Sequence, residues 1–134
     1  MARVWRFPVI RYQYNQQTDP PAPFVYGTFQ NPADSTELSD VPAQIDTAAD
    51  RTVLPDHVVQ ALGLAQMGRI AVGGLGGVVQ YLPTYAVRVA IHQFPAKAIK
   101  VVASSSEPWV LLGRDVLNAH RLLLDGPQLT FEIG

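Results

Sequence analysis

A chain of 134 residues has the size of one domain, and its ten Lys and Arg against eleven Asp and Glu leave a net charge of -1. The arginines are scattered, so the dense positive field that a phosphate backbone requires is missing, and nucleic acid is not expected as a partner. The absence of cysteine excludes disulfides and thiolate metal sites.

In chain order, Met1 to Pro8 holds no apolar run long enough for a signal peptide. No segment nears the roughly 20 apolar residues that span a bilayer, so a soluble, cytoplasmic protein without membrane contact is expected. Residues 3–14 alternate weakly and suit an edge strand, since Pro8 argues against a central one. Asn15 to Pro23 is polar and proline-rich, which sets residues 1–23 apart as an arm before a domain of residues 24–134. Phe24 to Phe29 alternates as a strand, Asn31 to Asp40 is turn-rich, and Val41 to Thr47 is a strand running into a loop at Ala48, Ala49 and Asp50. A short strand at 51–54 leads into a helix from Pro55 to Leu62, with Pro in the first turn and Gly63 as the cap.

Arg69 to Ile91 reads as a long hairpin that turns at Gly73, Gly74, Leu75, Gly76 and Gly77. The return strand covers Val78 to Tyr81, with further strands at 85–91 and 98–102. The apolar run 108–112 ends at Gly113, a short helix follows over 114–120, and a hairpin turning at Asp125, Gly126 and Pro127 closes the chain. The three histidines, His57, His92 and His120, lie far apart without paired ligand spacing, so neither metal nor cofactor is expected.

Three segments carry chemistry. Asp46, Thr47, Ala48, Ala49 and Asp50 stand where a strand becomes a loop and are followed by Thr52, Val53 and Leu54. The glycine cluster 73–77 forms a flexible hairpin tip. Val110 to Leu112 run into Gly113, Arg114 and Asp115. In this order and at these separations the segments resemble the retropepsin family of aspartic peptidases over roughly residues 24 to 133. The resemblance implies an all-β acid-protease barrel with a flap hairpin and one or two short helices, working as a homodimer on a peptide or protein substrate.

It further implies that Asp46 is the catalytic carboxylate. The chain holds one copy of the motif, so the second carboxylate must come from another subunit, which a twofold dimer supplies. Thr47 and Ala48 complete the catalytic loop, with Thr47 holding it across the axis. Asp50 and Arg114 are expected to form a structural ion pair. Ala49, Asp50, Val53, Leu111 and the flap residues Gly73, Gly74, Leu75, Gly76, Gly77 and Val78 are expected to bind substrate, with backbone N–H groups laid on an extended peptide. The C-terminal strand at 129–133 is expected at the dimer contact. Ala48 departs from the family's usual glycine and adds a methyl beside the substrate. That departure motivates a second reading, a catalytically inactive binding or dimerisation module of the same fold.

Overall fold

The computed structural model describes residues 9–134. Ten strands and two short helices build a closed barrel with a small sheet packed on its side. The strands are β1 (Ile10–Gln13), β2 (Phe24–Gln30), β3 (Glu37–Ile45), β4 (Val53–Pro55), β5 (Gly68–Gly73), β6 (Val79–Ile91), β7 (Lys97–Ser104), β8 (Val110–Leu112), β9 (Leu122–Asp125) and β10 (Thr130–Ile133). The helices are α1 (Asp56–Leu62) and α2 (Arg114–Leu117).

The main sheet runs β2-β3-β8-β4-β7-β6, and pairing of β2 with β6 closes it into a six-stranded barrel, as the all-β reading requires. β5 hangs on the outer edge of β6 as the second arm of the hairpin. Two pairings, β3 with β8 and β4 with β7, are parallel. The first brings the chain side by side into Asp46 and into Gly113, at the ends of β3 and β8. The core is aliphatic and aromatic, with Val25, Phe29, Leu54, Leu62, Val87, Val101 and Leu112 at 0% exposure. Burial on this scale is the main term holding such a barrel closed.

Several boundaries differ from the sequence reading. β3 begins at Glu37, inside the segment expected to be turns. Its pairing with β2 slips between Gly27 and Phe29, and Asp40 sits there with φ 56. A bulge of this kind absorbs an extra residue without ending the strand. β6 is one continuous strand of 13 residues rather than two. Pro83 is tolerated because Thr84 O accepts from Met67 N on the β5 side. In an antiparallel strand the preceding residue's N–H site, that of Pro83, points the other way, beyond the last β7 pair, Thr84 with Val102. No ladder bond is lost. Gly63 caps α1 at φ 64 as expected, while α2 is confined to four residues.

β1, β10 and β9 form a separate three-stranded sheet. Tyr12 of β1 stacks on Phe131 with ring centroids 5.2 Å apart, and Phe131 and Ile133 are fully buried. Part of the segment expected as an arm therefore packs on the C-terminal strand of the same chain. The edge strand expected over residues 3–14 is seen at Ile10–Gln13, and its first positions lie outside the described residues. Among the described residues no helix is long and apolar enough to cross a membrane.

Candidate active site

Asp46 follows the last residue of β3, and its N–H still donates to Leu112 O at 3.0 Å, extending the β3–β8 ladder by one bond. The chain then turns sharply. Asp46 Oδ1 accepts the N–H of Ala48 at 3.1 Å and that of Ala49 at 3.3 Å. Such side-chain bonds to the following backbone are what Asp contributes at turns. They fix one carboxylate oxygen against the loop backbone. The other, Oδ2, takes no hydrogen bond from any described residue, and no described basic group pairs with the carboxylate; the ion pair among the described residues is Arg11 with Glu132. The carboxylate is thus held to the loop through Oδ1, with Oδ2 left open to a further partner.

The loop is braced from α2. Arg114 N donates to Ala49 O at 2.9 Å, and Arg114 Nη1 donates to Thr47 O at 2.9 Å and to Ala48 O at 3.1 Å. This corrects the expected ion pair. Nη1 of the guanidinium goes to the two loop carbonyls, and Asp50 is exposed without a basic partner among the described residues.

A second brace was not legible in the sequence. Thr52, fully buried, donates its hydroxyl to Asp115 Oδ1 at 2.7 Å and its N–H to Asp115 Oδ2 at 2.9 Å, while Gly113 N donates to Thr52 Oγ1 at 3.2 Å. Charge-assisted bonds of this kind are short and strong. Asp115 reads in the sequence as an acidic residue at a helix start, and only its place after Gly113 and Arg114 in the family-like segment hinted at more.

Across from the loop stands the hairpin of β5 and β6. Ala48, Ala49, Asp50, Val53, Val102 and Arg114 face Ile70, Ala71, Val72 and Gly73 over a cleft of about 630 Å³. The cleft brings together the loop and the root of the hairpin. Gly74, Leu75 and Val78 line a smaller hollow of about 240 Å³ nearer the tip. Asp46, Thr47, Gly76, Gly77 and Leu111 wall neither space. Leu111 instead pairs with Val53, half-buried on the face opposite the core residues Val110 and Leu112.

At the tip Gly74 N bonds to Val78 O at 2.8 Å, and Gly76 and Gly77 take φ of 78 and 76, a region open to glycine. Leu75 is fully exposed and touches nothing that would bury it. Among the described residues no three His, Asp or Glu side chains gather as a metal site.

Ala48 replaces the glycine expected in such loops without strain: its φ is not positive, and its N–H reaches the carboxylate.

The family model of the "gag-polyprotein putative aspartyl protease" matches residues 37–119, which span the loop, the hairpin and α2. No curated protein matches. Among solved structures, a retropepsin-like aspartic protease from Rickettsia conorii aligns at 17% identity over 96% of this chain and 100% of its own, with a TM-score of 0.64. The EIAV protease in complex with an inhibitor aligns at 19% identity over 81% of this chain and 93% of its own, with a TM-score of 0.60. At these identities the structures speak for a shared fold.

Proposed function

Because the chain belongs to the gag-polyprotein aspartyl protease family, we infer that it is an aspartic endopeptidase whose site is completed by Asp46 from a second copy. The observation that carries this is the half-satisfied Asp46 carboxylate, pinned through Oδ1 beside a cleft roofed by a glycine-tipped hairpin. Two such carboxylates brought together across a twofold axis cannot both ionise easily, so they share one proton. The charged member takes a proton from water as the water oxygen attacks the scissile carbonyl carbon. The protonated member gives its proton to the carbonyl oxygen, forming a tetrahedral diol. The member now protonated gives its proton to the amide nitrogen while the other takes one from a diol hydroxyl; the C–N bond breaks, leaving acid and amine, and the pair again holds a single proton.

Thr47 and Ala48 belong to this catalytic loop. Ala49, Asp50 and Val53 on the floor and Gly73 to Val78 on the flap bind an extended peptide, with Leu111 beside Val53 adding apolar surface. The peptidase domain is residues 24–134, preceded by the extension 1–23. A homodimer acting on a peptide or protein is the working form.

The test is cleavage of a mixed library of unstructured peptides, from acid to neutral pH, by wild type and Asp46→Asn. Cleavage by wild type that disappears in the mutant supports the peptidase. A wild type that dimerises yet cuts nothing would leave the fold serving as a binding module, the reading that Ala48 motivates.

A further inference from the structure

Arg51, not among the residues expected from the sequence to bind substrate, walls the cleft between the Asp46 loop and the hairpin. It is half-buried, and its guanidinium makes no ion pair or hydrogen bond with any described residue. A guanidinium offers five donors in a rigid fork that fits a carboxylate in bidentate fashion. Standing unpartnered on a cleft wall, it can receive an anionic side chain from a bound molecule.

The backbone beneath it is fixed. Thr52, next in the chain, is fully buried and donates to Asp115 through both its N–H and its hydroxyl. The carbonyl of Thr52 accepts from Val102 N at 3.2 Å. The carbonyl carbon of Arg51 lies so close to Gly113 that a methyl there would stand 2.6 Å away. A receptor group on a fixed base binds with little reordering, which favours discrimination between ligands.

Two other charges wall the cleft, Asp50 and Arg114. Arg114 has Nη1 engaged by two loop carbonyls but keeps its positive charge. The wall is therefore positive by one, and an acidic side chain meets net attraction there although Asp50 opposes part of it. The hairpin side is apolar, with Ile70 and Val72 two positions apart on one face of β5. An extended peptide turns successive side chains to opposite sides, so a residue beside the acidic one can meet this apolar wall.

We propose that Arg51 sets substrate choice: the cleft takes peptides with Asp or Glu where the chain passes the guanidinium, and an apolar residue next to it. The inference rests on the reading that this cleft holds the substrate of an aspartic peptidase.

The test uses peptide libraries in which one position at a time is fixed as Glu, Gln or Lys and the others are mixed apolar residues. The pH is about 6, well above the usual Glu pKa, so that Glu is charged. Cleavage is measured with wild type, and binding with Asp46→Asn by fluorescence anisotropy. At one position Glu is expected to exceed Gln about tenfold, the scale of one charge-assisted contact, and to exceed Lys by more. Arg51→Gln should bring the ratio of Glu to Gln to about one, and Arg51→Glu should turn the preference towards Lys. Circular dichroism of both variants should match wild type, and the wild-type ratios decide even where a variant fails to fold. Equal cleavage of Glu and Gln peptides at every position overturns the role of Arg51 and keeps the peptidase. A Glu preference that survives Arg51→Gln overturns that role too. If wild type cuts nothing but binding still favours Glu through Arg51, the role stands and the peptidase reading falls. No cleavage, with binding absent or indifferent to charge, removes both.

Discussion

A methyl group built on Gly113 would stand 2.6 Å from the carbonyl carbon of Arg51 and 2.7 Å from its oxygen. Both are backbone atoms and cannot swing aside. Gly113 also donates to Thr52 Oγ1 and starts the helix whose Arg114 braces the Asp46 loop. Gly113→Ala is therefore expected to cost about 2–3 kcal/mol in urea unfolding, as forced overpacking does. It should lower peptide cleavage by more than the folded fraction alone explains. Unchanged stability would show that the loop and α2 can separate freely. Gly113 stands out in the sequence through a family-like segment, but its reason does not: Arg51 and Gly113 meet only in the folded chain. The same holds for Thr52 and Asp115, joined over 63 positions. The Asp50–Arg114 pair failed as an expectation because a sequence cannot show that two loop carbonyls compete for the guanidinium.

At the scale of elements, periodicity and turn residues located most strands, α1 with its glycine cap, and the glycine turn of the β5–β6 hairpin, because these signals are local. Lengths were less legible. β6 runs through Pro83 because the missing N–H falls on an unpaired side, and β3 runs through Asp40 because a bulge takes up the extra residue. Both depend on which neighbour lies on which edge. The glycine-tipped hairpin, proposed to close over substrate, offers a clean test. Gly76 and Gly77 need positive φ, and the tip has no burial to lose. A β-branched residue there costs about 1–2 kcal/mol of local strain and should leave the barrel's unfolding midpoint nearly unmoved. Gly76→Val and Gly77→Val are each expected to raise KM for a peptide about tenfold, since strain at the tip opposes closure over substrate. An unchanged KM in steady-state kinetics would mean that the tip does not touch the peptide.

For the whole molecule, the decisive property is that one chain supplies one Asp46. The barrel, the braced loop and the glycine-tipped hairpin are complete in a single copy, whereas the proposed dyad is not. If each working site needs an intact Asp46 from both partners, Asp46→Asn is not merely inactive but inhibitory. Mixing wild type with about a ninefold excess of Asp46→Asn and letting subunits exchange leaves only about one wild-type chain in ten with a wild-type partner. The total rate should then fall about tenfold relative to the same amount of wild type alone, at total concentrations well above the dimer dissociation constant. A rate indifferent to Asp46→Asn after exchange has been demonstrated would mean that one carboxylate suffices. The chemistry would then have to be carried inside a single barrel.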